Sequence, residues 1–227
     1  VELPAPVFEP LTSKLYESKL IYHSPTFGDE VRTFCMNPNG EVVQENYSGI
    51  ATVNGHSYAN YKTPNTNFAL LVSEKFTEPF KEPIQYGQHI ARLANMLGGG
   101  ILVQRFGDLL DGRRSTPERI KSSVITPTLA CATPGDLSLV IPYRQMTSII
   151  EMLQALDKIA PGTASRYTLL YGIEVKFYSA RVKLTDKLET EGVKNLFAIG
   201  DGAGVTRGLI QASASGVHAA RTICERG

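Results

Sequence analysis

Tryptophan is absent from this chain of 227 residues, and cysteine is scarce, occurring only at positions 35, 131 and 224. These cysteines lie far apart and form no C-x-x-C pair, which argues against a disulfide framework or a zinc clip and favours a reducing compartment. An excess of charge is lacking too, because 23 Lys and Arg stand against 22 Asp and Glu. Without a net field to attract polyanions, we expect no nucleic-acid partner.

Long hydrophobic runs are also missing, and the first residues do not combine a basic region with an apolar one. With 42% hydrophobic and 20% charged residues, the composition is typical of a soluble globular protein. We therefore expect a cytoplasmic protein without a membrane partner. The spacing of the histidines gives no H-x-x-x-H pair, so we expect no metal site; they are His23, His56, His89 and His218.

The first third of the chain predicts an antiparallel sheet or small barrel. Four prolines disfavour helix over residues 1–27 and predict extended chain there. Residues 31–36 and 41–46 have strand composition and flank Asn39-Gly40, a pair that suits a hairpin turn. A second hairpin turn is predicted at Asn54-Gly55, and a further strand at residues 68–73.

Two amphipathic helices are predicted in the middle of the chain. Apolar residues recur with helical spacing near residues 87–97, ahead of three consecutive glycines. The second helix is predicted near residues 148–160, with Ser148 and Glu151 in the spacing of a capping box. Residues 107–117 are polar and basic, and residues 124–142 are expected to be irregular or to form short strands. Residues 171–177 alternate as one more strand.

The most informative stretch lies near the C-terminus. Residues 196–199 are continuously apolar, as in a strand covered on both faces, and a glycine-rich loop leads from them into a helix predicted over residues 208–221. Such a helix N-terminus presents unpaired N–H groups and a positive dipole end to a phosphate or a polarised ring oxygen. The spacing completes no G-x-G-x-x-G, so a purely structural connection that needs glycine for packing is an equal alternative.

The amino-acid sequence of this stretch nevertheless resembles a motif of a known family. Thr190 and the run from Leu196 to Gly204 resemble the second flavin-binding motif of FAD-dependent oxidoreductases. Together with residues 32–36, 54–58 and 204–216, they resemble a poorly characterised FAD-dependent dehydrogenase family over most of the chain. The resemblance implies FAD as the cofactor of the parent protein.

The resemblance also implies roles for particular residues. Asp201 would bond the ribityl chain of FAD, and the N–H groups of Gly208, Leu209 and Ile210 would approach the pyrimidine edge of the flavin. The full implied cofactor-binding set comprises Gly200, Asp201, Gly202, Gly204, Arg207, Gly208, Leu209 and Ile210. In the family that the chain resembles, a second cysteine follows shortly after the one that matches Cys35. This chain has Asn37 there instead.

The chain departs from the family in lacking the N-terminal G-x-G-x-x-G unit that holds the FAD pyrophosphate, and the repeated βα units of a doubly wound sheet. With a first residue other than Met, this predicts a C-terminal fragment. Residues 1–185 would form a substrate or cap region, and residues 186–227 the return segment of an incomplete FAD-binding domain. The missing N-terminal region would be its partner, and the chain alone is expected to be inactive and to hold no FAD.

The expected fold class is therefore α+β: an antiparallel sheet or small barrel with helices, ending in a strand, glycine loop and helix. The predicted reaction is hydride transfer between flavin and a small-molecule substrate. The alternative is a noncatalytic module that binds a ligand or partner, with a structural glycine loop. No G-x-S-x-G or Walker A sequence supports a serine hydrolase or a P-loop NTPase.

The sequence identifies no catalytic residue outright. His56, beside Tyr58, is a weak candidate for acid and base chemistry over a flavin, and a solvated turn histidine is the simpler interpretation. Several arginines would suit an acidic substrate or lie on solvated faces, and Arg207 has the best case because of its place in the loop; the others are Arg105, Arg113, Arg114 and Arg144.

Overall fold

A computed structural model describes residues 1–15, 18–74, 76–176 and 181–226. It divides the chain into two compact units, Val1–Val175 and Lys176–Gly227. The fold is mixed α+β with a mainly antiparallel sheet, which confirms the predicted class. The functional division after residue 185 stays a prediction.

Nine strands are found in the described part of the first unit. They are β1 (Glu2–Pro4), β2 (Ile21–His23), β3 (Glu30–Asn37), β4 (Glu41–Tyr47), β5 (Ile50–His56), β6 (Asn65–Val72), β7 (Leu102–Arg105), β8 (Thr133–Pro134) and β9 (Leu169–Gly172). Seven of them form a sheet in the order β2-β3-β6-β1-β9-β7-β8, antiparallel throughout except between β7 and β8. β4 and β5 form a separate hairpin.

The predicted strands of the first third exist, but the predicted turns between them are wrong. β3 pairs with β2 and β6, so Asn39-Gly40 does not close a hairpin. β4 instead pairs with β5 through Ser48 and Gly49, which have φ angles of 50° and 79°. Positive φ at both positions gives the twist that a two-residue hairpin needs.

Asn54-Gly55 lies inside β5, where Gly55 is opposite Val42. A Cβ at Gly55 would lie 1.9 Å from Oδ1 of Asn67 and 2.5 Å from Nδ2 of Asn37. The glycine therefore permits a close approach to two side chains from the main sheet. Tertiary packing, rather than turn formation, explains this residue.

The N-terminal segment contains a helix that its prolines argued against. α1 spans Ala5–Thr12, with Pro6 in the first turn, where the missing N–H has no helical partner in any case. Phe8 on this helix is completely buried, and its ring centroid lies 4.8 Å from that of Phe68. Burial of a phenylalanine contributes about 1.5–3 kcal/mol, which offsets the unfavourable Pro10 inside the helix.

The structure confirms both predicted amphipathic helices and corrects the bounds of the second. α2 spans Pro83–Gly98, and α5 spans Tyr143–Leu156 rather than residues 148–160. Ser148 is not a cap, because it is buried inside α5 and donates to the carbonyl of Arg144 at 3.0 Å. Glu151 accepts hydrogen bonds from Ser24 and Thr26, which joins α5 to the segment after β2.

Between α2 and α5 lie two short helices, α3 (Phe106–Leu110) and α4 (Pro117–Lys121). The segment predicted to be irregular, residues 124–142, contains the short strand β8 and a 3-10 helix at Leu137–Leu139. Apolar residues of α3 and of the 3-10 helix complete the largest core of the first unit, whereas Ile120 of α4 belongs to a smaller cluster. The buried side chains of the largest core include Ala94, Leu102, Phe106, Leu137, Met146 and Leu153.

The second unit contains the last helix, α6 (Leu209–Cys224), close to the predicted span of 208–221. Residues 196–199 form no strand, contrary to expectation, and only an isolated bridge links Phe197 to Glu189. Leu196 and Ile199 are about half exposed, since the described residues of this unit offer no neighbouring strand to cover them. Of the predicted strand 171–177, residues 171 and 172 belong to β9, and residue 177 lies outside the described residues.

Within the described ranges, no helix combines the length and apolarity needed to cross a membrane.

Candidate functional site

The glycine loop of the second unit has a backbone that depends on its glycines. Gly200, Gly204 and Gly208 have φ angles of 72°, 71° and 142°. Residues with a Cβ rarely adopt such conformations. Between the first two, Asp201–Ala203 forms one turn of 3-10 helix.

The carboxylate of Asp201 holds the two ends of this loop together. It accepts a hydrogen bond from the hydroxyl of Thr206 at 2.6 Å and another from the N–H of Gly208 at 3.2 Å. The ribityl contact that the resemblance implies stays a prediction. Thr206 is a partner that the sequence interpretation missed.

Ser215 fixes the start of the loop to α6. Its hydroxyl accepts from the N–H of Gly200 at 2.9 Å and donates to the carbonyl of Ala212 at 2.7 Å. The sequence shows Ser215 only as one of many small residues in the helix. Its role depends on the turn at Gly200, which brings a backbone donor to that face.

The first turn of α6 is open. Leu209 and Ile210 are 87% and 82% exposed, and a Cβ at Gly202 would meet nothing within 4 Å. The N–H groups of a helix's first turn have no acceptor inside the helix. Gly208 itself donates to Asp201, so its predicted contact with flavin would require sharing that N–H. Backbone donors of this first turn therefore lie beside two exposed apolar side chains and open space.

The other end of α6 is anchored within the same unit. The carboxylate of Glu189 accepts from the guanidinium of Arg226 and, at 2.7 Å, from the N–H of Asn195. These bonds lower the pKa of Glu189 to about 2. His218 contacts the carbonyl of Asp186 through Nε2 at 2.9 Å. Both contacts position α6, and with it the loop at its N-terminus.

His56, the candidate for acid and base chemistry, and Cys35, which lies in the resembling segment 32–36, are on different strands of the first unit. His56 is exposed at the end of β5, and its ring centroid lies 6.0 Å from that of Tyr58. A hydrogen bond to Glu41 raises the pKa of Tyr58. Cys35 lies at an irregularity of β3, where its φ is 45° and its carbonyl accepts from the side chain of Asn37 at 2.7 Å.

Asn37 stands where the resemblance implies a second cysteine, and its side chain hydrogen-bonds within the sheet. Besides the Cys35 carbonyl, its Nδ2 donates to Oδ1 of Asn67 at 3.0 Å. These bonds link the irregularity of β3 to β6. The role follows from strand pairing, which the sequence pattern did not reveal.

Arg144 pairs with Asp29, and the hydrogen bond between them is the main reason why the pKa of Asp29 is lowered. Three other arginines of the first unit approach Asp108, whose side chain is completely buried. Nε of Arg113 lies 3.0 Å from the Asp108 carboxylate, and Arg105 and Arg119 each approach to 3.9 Å.

Burial opposes ionisation of Asp108, but hydrogen bonds from Ser115 and Arg113 outweigh it and hold the pKa below its usual value. The carboxylate thus remains charged and holds these arginines in place. Sequence spacing showed the arginines individually but not their common partner.

Among the described residues, no group of three or more His, Cys, Asp or Glu side chains could hold a metal ion.

Family comparisons point to the FAD-dependent proteins. A family model described as "FAD-dependent protein, C-terminal domain-like" matches residues 12–177. The chain therefore belongs to that family, which confirms the predicted resemblance. A second family model, described as "Glucose inhibited division protein A", matches residues 129–226 and so includes the glycine loop and α6.

A relative from Clostridium beijerinckii (strain ATCC 51743 / NCIMB 8052) carries the name "Uncharacterized protein". It is 32% identical over 220 residues, which cover 92% of this chain and 40% of the relative. The chain thus spans less than half the length of that relative.

Proposed function

We propose that this chain is the C-terminal part of an FAD-dependent oxidoreductase that transfers hydride between flavin and a small-molecule substrate. Membership of an FAD-dependent family supports the cofactor. The observation that carries the proposal is the open first turn of α6, where a glycine loop and unpaired N–H groups lie beside two exposed apolar side chains. Bound FAD would supply the hydride chemistry, and the protein would supply binding and electrostatics.

In this proposal the second unit contributes to the flavin site. The N–H groups of Leu209 and Ile210 would donate to the polar edge of the ring, and the positive end of α6 would stabilise negative charge there. Asp201 would accept from a ligand hydroxyl while it holds Thr206 and Gly208. Gly202 would allow the backbone to approach the cofactor closely.

The first unit would act as the substrate or cap region, and a region outside this sequence would hold the FAD pyrophosphate. The length of the relative supports the second point, since 60% of that protein lies outside the match. The chain by itself would then retain no FAD and have no activity. In this proposal, the partner of the chain is an FAD-binding region that lies outside this sequence.

The test measures FAD in the naturally expressed protein that contains this sequence. We expect a flavin spectrum in its gel-filtration peak and none in the peak of the 227-residue chain mixed with FAD. Gly202→Val should weaken FAD binding at least about fivefold, since overfilling a close contact costs about 1–3 kcal/mol. The fold should persist, because the new side chain has open space around it.

Gly192→Ala is the matched control. Gly192 lies in the same unit, has a φ of 89° and meets nothing within 4 Å, so alanine there adds backbone strain away from the loop. It should lower stability and leave FAD affinity unchanged. A naturally expressed protein without flavin would contradict the proposal and favour the noncatalytic binding module.

A further inference from the structure

The first unit contains a cleft that the flavin proposal does not use. It lies between the end of α2, the turn after α3 and the segment that follows β8, and its volume is about 320 Å³. Such a volume is at the lower end of the range for small-molecule pockets, about 300–1,000 Å³. We call it the basic cleft, and its main lining residues are Leu97, Leu102, Arg113, Arg114, Asp136 and Leu139.

One part of the basic cleft is apolar and exposed. Leu97 and Leu139 are 45% and 64% exposed. Leu102 is buried and held rigidly, because a Cβ at Gly98 or Gly135 would come within 2.7 Å or 2.6 Å of it. A ligand that covered Leu97 and Leu139 would therefore remove apolar surface from water over a fixed base.

The polar lining of the cleft has a net positive charge, because it holds Arg113 and Arg114 against one acidic residue, Asp136. Outside the lining, Arg105, Arg119 and Arg166 pair with the two carboxylates that Arg113 also contacts, those of Asp108 and Asp111. Arg113 is held by both of these carboxylates, at 3.0 and 3.1 Å. Its position is therefore fixed, and the charge of the neighbouring Arg114 adds to the excess.

Arg114 is the cation most available to a ligand. It is exposed, and its guanidinium makes no hydrogen bond or ion pair with any described residue, apart from a longer-range electrostatic effect on Glu118. Asp136, the acidic residue of the cleft, is already engaged. Its carboxylate accepts from the N–H and hydroxyl of Ser138 at 2.9 and 2.7 Å and from Gln104 at 3.3 Å.

We propose that the basic cleft binds a small amphipathic anion. Its apolar body would cover Leu97 and Leu139, and its carboxylate or phosphate group would bond to the guanidinium of Arg114. A guanidinium suits both anions, since its donors form a fork that matches two oxygens. The site lies entirely within the first unit and needs no cofactor, so it is independent of the flavin proposal.

The test uses octanoate as the probe, titrated into the 227-residue chain and followed by backbone amide NMR. Octanamide tests the need for charge, and acetate tests the need for the apolar body. We expect saturable shifts at the basic cleft with octanoate, weaker binding of octanamide and no saturation with acetate. Salt near 1 M should weaken octanoate binding, because it reduces the screening length to about 3 Å.

Arg114→Gln should weaken octanoate binding by about fivefold, the upper end for an ion pair in contact with solvent, and leave octanamide binding unchanged. Arg114→Lys should retain most of the affinity because it keeps the charge. Leu139→Asn should weaken both ligands. The control, Arg92→Gln, removes an exposed arginine of α2 that does not line the cleft, and it should change neither.

Three results would overturn the proposal: no saturable shift with octanoate, shifts confined to another region, or equal losses in Arg114→Gln and Arg92→Gln. Both arginines are exposed, so neither substitution should unfold the chain, and far-UV circular dichroism checks this point. Because no flavin is present in the experiment, failure here would leave the FAD test unaffected.

Discussion

At the residue scale, the clearest structural requirement in the first unit is the charge of Asp108. Its carboxylate is completely buried, yet it accepts hydrogen bonds from Ser115 and Arg113. Removing one member of such a cluster leaves the others with unsatisfied charge. Asp111, which also contacts Arg113, has a partly exposed side chain and serves as its natural comparison.

We expect Asp108→Asn to lower the free energy of unfolding by about 2–3 kcal/mol, measured by urea denaturation. Asp111→Asn should cost no more than about 1 kcal/mol, since its pairs are in contact with solvent. Equal losses in the two variants would show that Asp108 does not organise the cluster.

The pH dependence of the same residue follows from its lowered pKa. A carboxyl group with a folded-state pKa below its unfolded value stabilises the protein above the unfolded value, and this contribution is lost as the pH falls through the folded pKa. The wild-type chain should therefore lose stability below about pH 4, the ordinary aspartate value. Asp108→Asn should show a shallower loss over that range, and an unchanged slope would contradict the assignment.

At the element scale, β5 shows how packing outweighs local turn signals. Its Asn54-Gly55 pair has the composition of a hairpin turn, yet the strand runs straight through it. Gly55 is needed because Asn37 and Asn67 occupy the space where a Cβ would stand. The actual turn at Ser48-Gly49 carries a weaker sequence signal than the one that fails.

Gly55→Ala should lower the free energy of unfolding by about 1–3 kcal/mol, because the added methyl group would displace the hydrogen-bonded asparagine pair. The matched control is Gly100→Ala, whose Cβ would lie at an ordinary distance of 3.5 Å from Gln44. Chemical denaturation measures both. Similar stability of the two variants would show that the strand adjusts without cost.

The helices, too, fall into those that local sequence signals predicted and those that depend on packing. The helical spacing of apolar or small residues, together with a flanking glycine, predicted α2 and α6 closely. The start of α5 was misplaced because Ser148 has the composition of a cap but packs inside the helix. α1 was missed because the burial of Phe8 depends on β6, far along the chain.

At the scale of the whole molecule, the two units differ in how much core they contain. The buried hydrophobic clusters found in the described residues all lie in the first unit. The second unit buries Ala203 and Ala219, while larger apolar side chains such as Leu209 and Ile210 are exposed. Local stability rises with buried apolar contact, so the units should open at different rates.

Native-state hydrogen exchange of the 227-residue chain should show this difference. Amides in the middle of α6 should exchange at least about tenfold faster than amides in the middle of α5, which packs against two core clusters. The two helices are of similar length, so fraying at their ends does not explain a difference. Equal protection would contradict the inference that the second unit is less stable by itself.

The sequence by itself determined the α+β class, the family, and the positions of β3 to β6, α2 and α6, because these depend on local periodicity and on the residues of one glycine-rich motif. It also placed the predicted flavin residues in a single loop. Tertiary structure alone decided which strands pair, why Gly55 is glycine, that Ser215 and Thr206 hold the loop, and that several arginines surround Asp108. Each of these depends on contacts between residues distant in sequence, where the free energy of burial and hydrogen bonding exceeds local preference.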